Sequence, residues 1–416
     1  MEEEEETEEE TGSGLTIAGQ VRTSYGEMIN AVNITAEANA LNEYPRNAVS
    51  DENGQYLFNN NPLNENYRLT AQKDDEFVTG VSTLDLVLIS RHIVDLSVFE
   101  DPFTVIAADA SGDGRITAAD LTELRRLILG VTDDLANNLP WIFVDASQQF
   151  FDPSNPFPFT EEIQITPLVE NRMAEDFIGV KVGDVNGSFK GAESRTSGVL
   201  TLEANDELLV PGQLVDVAVT AQNFNQVAGY QFTMSHEGLT FKGVQRGALD
   251  VDETSIGLDN DRLSMVWFSA ETQVVDVNET LFTMTFEANA AVTLSEALSL
   301  NSSITRAEAY VGQDLDTYEI DLLFGEENTA VTLYQNQPNP FEESTTIGFD
   351  LPRASEATVV IFDIAGKELK KIKGQYAKGY NTVTVEAKDL NASGVLYYQL
   401  QTGSELVTKK MIAVSK

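Results

Sequence analysis

The sequence predicts a mainly β protein: a string of small β-sandwich domains with one α-helical module inserted. Three observations lead there. Short runs alternate polar and apolar residues between Gly, Pro, Asn and Asp turn signals, as in LTIAGQV, QLVDVAVTA and YNTVTVEA. Apolar residues at helical spacing recur in only one stretch, Gly80 to Leu129. A chain of 416 residues also exceeds one ordinary domain, and about 100–200 residues per domain gives roughly two to four.

Composition narrows the function classes. Hydrophobic residues at 42% suffice for packed cores, and the formal net charge is −41. From Val331 onward there are 10 Lys+Arg against 9 Asp+Glu, a net of +1, so the first 330 residues carry −42. Such a field repels nucleic acid and anionic membranes and attracts cations. No cysteine is present, which excludes disulfides, thiolate metal sites and a cysteine nucleophile. No apolar run approaches the roughly 20 residues of a membrane span. Residues 1–13, rich in Glu, read as a solvated acidic linker and the opposite of a signal peptide. An exported protein is therefore expected to have its signal, and any catalytic domain, upstream of Met1.

Residues 14–76 read as an antiparallel β-sandwich, with a turn at Asp51-Glu52-Asn53-Gly54. The order IAGQV, INAVNITA, SDENGQYLFNN, YRLTA resembles carboxypeptidase-regulatory-like (prealbumin-like) domains, which implies a spacer. Tyr25, Tyr44, Tyr56 and Tyr67 could offer a sugar-binding face, but core or edge packing is the better expectation for them.

Residues 77–189 carry the chemistry. GVSTLDLVLISRHIV (Gly80 to Val94) aligns with RITAADLTELRRLIL (Arg115 to Leu129), 35 residues later, and both are amphipathic helices expected to pack on each other. The loop DASGDGRITAAD places oxygens at its positions 1, 3, 5, 9 and 12: Asp109, Ser111, Asp113, Thr117 and Asp120. Arg115 can add its backbone carbonyl at position 7, and Gly114 allows the sharp turn at position 6. A hard cation needs six to eight oxygens, and alternate residues of a curled loop can all point inward, so the pattern points to Ca2+. The duplicated loop–helix unit resembles type I dockerins. The first copy departs from that pattern. By register Asp74, Glu76, Ser82 and Asp85 match Asp109, Ser111, Thr117 and Asp120, but Val78 and Thr79 stand at positions 5 and 6. A second site is expected if Asp184 and Asn186, in VGDVNGS, fold back beside Asp85; a simple closing turn is the competing reading. Between these segments lie Trp141, Phe143, Phe151, Phe157 and Phe159, expected to wrap the helix pair and enlarge its core. His92 aligns with Leu127 and is expected to be packed and hydrogen-bonded.

Residues 190–196 form a polar linker. Residues 197–330 read as a sandwich of about nine strands, and VPGQLVDVAVTAQNFNQVAGYQFTMSHEGLTFKGVQRGAL resembles cohesins, with Gly229, Tyr230, Phe232 and Leu239 at core or turn positions. Residues 331–416 form a last β-sandwich with a hairpin at Ile364 to Lys367. Its landmarks are Pro338-Asn339-Pro340-Phe341, Asp363 with Gly366, Gly394 with Tyr397, and Lys409-Lys410-Met411. Together they resemble the type A sorting domain of the type IX secretion system. That resemblance implies export across the outer membrane of a Gram-negative bacterium of the Bacteroidetes type and a place outside the cell or on its surface. In the family resembled, this domain is commonly removed and the remainder attached to surface glycolipid, and Lys409 and Lys410 become candidate contacts with the secretion machinery, an exposed cationic strand end being the competing reading. The expected function is a calcium-stabilised stalk or adhesion segment carried by a sorting tail. The alternative is a scaffold element whose dockerin-like module binds a cohesin-like domain on another chain or its own neighbour. The pairs that help choose a dockerin's partner are Thr83-Leu84 and Ala118-Ala119, so the two faces are not interchangeable. No enzyme is expected: two histidines and no glycine-rich phosphate loop leave little catalytic apparatus.

Overall fold

A computed structural model describes residues 14–38, 41–74, 77–189, 196–277, 279–325, 331–352, 355–377, 379–403 and 405–414. The acidic linker, most of the 190–196 linker and Glu76 lie outside them. The chain divides into two compact units, one of residues 1–204 with 209–323, the other of 205–208 with 324–416.

The first unit begins with β1 (Leu15–Arg22), β2 (Asn33–Glu37), β3 (Arg46–Val49), β4 (Gln55–Asn61) and β5 (Tyr67–Gln72). Gly54, at φ +71°, makes the turn into β4. Three helices follow, α1 (Thr83–Ile93), α2 (Pro102–Ala108) and α3 (Ala118–Ile128), then β6 (Trp141–Asp145), β7 (Glu162–Ile165) and β8 (Phe177–Lys181). The two sheets of the first sandwich run β4-β1-β8-β6 and β3-β2-β5-β7, so three of its eight strands come from beyond the helices. β1 and β8 pair in parallel, Val21 beside Phe177.

This pairing corrects the expectation for the aromatic segment. Trp141, Phe143 and Phe177 lie in the sandwich core with Ile17, Tyr56 and Phe58, not around the helices. Five short strands alone leave an edge and half a core unfilled, and β6 to β8 supply both. Phe157 and Phe159 do pack against the helical core, while Phe151 is fully exposed. Tyr56 and Tyr67 are buried, and only Tyr25 of the four tyrosines is strongly exposed. The sugar-face reading therefore has no support.

Helices α1 and α3 pack on each other through Leu86, Ile89, Leu124, Leu127 and Ile128, all buried. Gly130 follows α3 at φ +66°, the left-handed turn that lets the chain leave the helix. His92 stacks on Phe99 and accepts a hydrogen bond from its amide through Nδ1, and burial lowers its pKa; it is a packed histidine.

The rest of the unit is a second sandwich. Its strands are β9 (Gly198–Asn205), β10 (Leu208–Leu209), β11 (Leu214–Ala221), β12 (Asn225–His236), β13 (Leu239–Arg246) and β14 (Ile256–Asp259). They continue as β15 (Arg262–Val274), β16 (Phe282–Ala288), β17 (Val292–Thr293), β18 (Leu298–Asn301), β19 (Glu308–Val311) and β20 (Asp316–Gly325). One sheet path, β13-β16-β11-β9-β20-β19-β12-β15-β14, wraps around a core that includes Tyr230, Phe232 and Phe286. Val227 to Met234 of β12 and Leu263 to Trp267 of β15 are buried on both faces. Tyr230, Phe232, Met265 and Trp267 point inward, whereas Gly229, Gln231, Ser264, Val266 and Phe268 meet the helices. Thr83 N–H donates to Gln231 Oε1 at 2.7 Å, Arg91 Nε to the Ala270 carbonyl at 3.0 Å, and Ser264 Oγ to the Leu129 carbonyl at 2.6 Å. Val87 fills the seam with Ala228, Tyr310 and Leu315.

The second unit holds two sheets, β21-β22-β25 and β24-β23-β26-β27. Their strands are β21 (Thr332–Leu333), β22 (Ser344–Leu351), β23 (Ser355–Phe362), β24 (Glu368–Tyr376), β25 (Gly379–Glu386), β26 (Gly394–Gln401) and β27 (Leu406–Ala413). Phe341, Phe349, Tyr398 and Met411 sit in its core.

Candidate metal centre

The helix pair presents two cradles built to one plan. In the first, Asp109 caps the end of α2 and its carboxylate accepts from Asp113 N at 3.1 Å and Gly114 N at 2.8 Å. Gly112 and Gly114 adopt φ of +69° and +78°, which curls the loop. Asp120 accepts from Ser111 N at 2.9 Å and Thr117 N at 2.7 Å, so the loop's last carboxylate ties both ends together and completes the α3 capping box. Asp113 and Arg115 stay exposed, with Arg115 N–H donating to Asp113 Oδ1. Asn138 donates to the Asp109 carbonyl, and Phe157 lies beside Gly114, so the segment after α3 closes over the loop.

The second cradle repeats these bonds from two distant segments. Asp184 accepts from Ser188 N at 3.0 Å and Phe189 N at 2.9 Å, the same fourth and fifth amides downstream that Asp109 uses. Gly187, at φ +74°, matches Gly112. Asp85 accepts from Ser82 N at 2.9 Å, as Asp120 does from Thr117, and from Val185 N at 2.9 Å. Ser188 Oγ donates to the Gly80 carbonyl, the carbonyl in register with that of Arg115. The chain is thus cut between Phe189 and Gly80 and rejoined in space: a Cβ on Gly80 would lie 2.6 Å from Phe189 Cα, so only glycine fits there. Asp85 and the Asp184 loop therefore meet, with Asn186 two residues further along that loop. The other two residues aligned by register do not join them: Asp74 is exposed at the end of β5, and Glu76 falls outside the described residues. Val78 carries no side-chain oxygen at position 5 and Thr79 stands where position 6 needs glycine, and the Asp184 segment takes the place of that half of the loop.

Electrostatics mark both cradles as short of positive charge. Burial, then repulsion from Asp184, drives the Asp85 carboxyl well above the usual carboxylate range; burial likewise raises Asp184 and Asp109. Asn186 Oδ1 is buried with no hydrogen-bond partner. An orphaned amide oxygen in the same loop as one desolvated carboxylate, with a second carboxylate against that loop, is a donor set that fits a hard divalent cation. Among the described residues no three His, Cys, Asp or Glu side chains converge as a preformed cluster; the remaining donors are hydroxyl, amide and carbonyl oxygens.

The sorting-type landmarks also come together. Asn339 Oδ1 accepts from Ile412 N, Phe341 N donates to the Ile412 carbonyl, and Gln335 Nε2 donates to the Lys410 carbonyl. Pro338 to Phe341 is thereby sewn to β27, which carries Lys409 and Lys410. Gly366 and Gly394 take φ of +82° and +95° in turns. Tyr397 and Lys410 face outward and Lys409 is half-buried. Phe341 is 1% exposed, so Phe341→Ala should cost the second unit about 3–5 kcal/mol in chemical denaturation.

Comparison with known proteins agrees at two places. Residues 336–414 match the family described as "Secretion system C-terminal sorting domain", and residues 79–129 match "Dockerin type I domain". No curated protein matches the chain. Among solved structures, the chain is similar to the sixth cohesin of scaffoldin B from Acetivibrio cellulolyticus, solved with a Cel5 dockerin, at 12% identity over 30% of this chain and 95% of that one, TM-score 0.24. A non-cellulosomal cohesin from Archaeoglobus fulgidus gives 14% identity over 30% and 86%, TM-score 0.22. BcpA, the major pilin subunit of Bacillus cereus, gives 9% over 97% and 97%, TM-score 0.19. These identities and scores are low. Both matched families are non-catalytic modules. No helix among the described residues is long and apolar enough to cross a membrane. A sorting tail joined to a dockerin module and β-sandwiches makes this a secreted, multimodular surface protein.

Proposed function

We propose that the chain is a calcium-stiffened stalk or adhesion segment with no catalytic role of its own, carried to the surface of a Bacteroidetes-type bacterium by its tail. The observation that carries this reading is the repeated cradle. One Ca2+ would be held by Asp109, Ser111, Asp113, Thr117, Asp120 and the Arg115 carbonyl, a second by Asp85, Asp184, Asn186, Ser82 or Ser188 and the Gly80 carbonyl. Calcium supplies positive charge that buried carboxylates otherwise lack, and its binding energy becomes folding energy. The second cradle would act as a clasp, joining the start of α1 to the end of the first sandwich. Lys409 and Lys410, beside the Pro338 to Phe341 turn, are proposed contacts for the secretion machinery.

Assembly through a cohesin–dockerin-type contact remains the second reading, and one observation directs it inward. Thr83 and Leu84, the partner-selecting pair of the first copy, are packed on the chain's own second sandwich, whereas Ala118 and Ala119 are exposed. The neighbour in cis is the proposed partner. Elemental analysis of the dialysed protein should give two calcium ions per chain, and Asp109→Asn and Asp184→Asn should each leave one. Zero in the wild-type chain would end the proposal. A calcium-dependent dimer in size-exclusion chromatography would favour assembly in trans.

A further inference from the structure

The second sandwich reaches the split cradle through a continuous set of polar contacts that the dockerin-type loop does not itself require. Tyr310 on β19 is fully buried, its hydroxyl donates to Glu308 Oε1 at 2.6 Å, and it also meets the Ser82 hydroxyl. Ser82 Oγ in turn donates to Asp85 Oδ2 at 3.2 Å. On the other side, Gln231 Nε2 donates to Glu308 Oε1 at 3.4 Å while Gln231 Oε1 accepts from Thr83 N at 2.7 Å. The loop from Ser82 to Thr83 is thus gripped at both residues by one carboxylate-centred ring. Gln231 is 3% exposed, and Glu308 faces Arg306 only at 3.9 Å. Ser82, Asn186, Ser188, Gln231, Glu308 and Tyr310 line one cavity of about 490 Å³, into which the second cradle opens.

We infer that Tyr310, Glu308 and Gln231 are positioning residues of the second cation site, so that filling this site and seating α1 on the sandwich are one event. The inference rests on the proposed calcium reading. Its physical basis is second-shell orientation: a ligand hydroxyl or carboxylate held by an outer partner loses less freedom on binding, and removing such partners weakens metal affinity roughly 10–100-fold. Ser82 and Asp85 are the groups so held, and the holding groups belong to the domain on which α1 docks. Closure of that seam therefore improves the site, and by linkage a filled site must tighten the seam by the same factor.

The test uses the full chain. Calcium titration by calorimetry resolves two sites, and hydrogen exchange follows residues 83–93, 227–236 and 305–311 with and without calcium. Tyr310→Phe, which keeps the buried ring, and Glu308→Gln should each weaken one site roughly tenfold and leave the other unchanged. Calcium should protect β12 and β19 together with α1 in the wild-type chain, and Asp184→Asn should abolish that protection while the Asp109 site still fills. Two unaltered affinities in both variants, or calcium-linked protection confined to residues 80–85 and 184–189, would overturn the inference and leave the two-site reading intact. A wild-type chain that binds one calcium or none would remove the second site itself, and the inference with it. The wild-type exchange experiment decides the matter even if a variant fails to fold.

Discussion

Chelation of calcium should lower the melting temperature of the first unit by on the order of 10 °C and leave the second unit's transition in place. At 100 times its dissociation constant a cation stabilises the folded state by about 2.7 kcal/mol per site, so two sites contribute about 5 kcal/mol. For units of this size each kcal/mol moves the midpoint by roughly 2–4 °C at most. The sign follows from the cradles: without a cation, Asp85 and Asp184 are desolvated together, and Asn186 Oδ1 keeps a buried lone pair unmatched. The second unit holds neither cradle. Differential scanning calorimetry in calcium and in EDTA reads both transitions, and an unchanged first transition would count against structural calcium.

The second large effect is expected at the seam between helix and sandwich. Val87 is 0% exposed and touches Ala228, Tyr310 and Leu315, with Gly229 so close that a Cβ there would sit 3.0 Å from the valine. Val87→Asp buries a carboxylate among apolar side chains, two residues from the already buried Asp85. The cost should be about 4 kcal/mol or more, the scale of an uncompensated buried charge. Val98→Asp, at a position 50% exposed near the same helix, should change stability by less than about 0.5 kcal/mol. Urea denaturation measures both, and limited proteolysis should open Val87→Asp first at α1. Equal stabilities of the two variants would mean that α1 is not held by the sandwich.

Much of this architecture was legible in the residues. Alternation and turn chemistry give the sandwiches and the Ile364 to Lys367 hairpin, and the Asp109 to Asp120 spacing gives the first cradle. The resemblance between DASGDG and DVNGSF is the local signal that Asp184 starts a second loop half, because both place Asp, a polar oxygen and a glycine at the same offsets. The partner for that half was harder to read. Register pointed to Asp74, and only the sheet pairing of β8 with β1 brings residue 184 to the start of α1. The same pairing explains why Trp141 and Phe143 read from sequence as a wrapping for the helices: their run, WIFVD, is a strand paired with β8, which in turn pairs with β1 from before the helices. A related signal lies in RLSMVWFSA. A run with no polar face belongs to a strand covered on both sides, and here the second cover is the helix pair. What covers it cannot be deduced from the run itself, since periodicity reports burial and not the burying partner.

The central claim is that two calcium ions bind, one of them between segments about 100 residues apart in sequence. Anomalous scattering from crystals of the full chain grown in calcium, or soaked with a lanthanide, locates the ions directly. The account predicts two peaks, one inside Asp109 to Asp120 and one among Asp85, Asp184 and Asn186. A single peak in the first loop, or a second peak at Asp74, would contradict it.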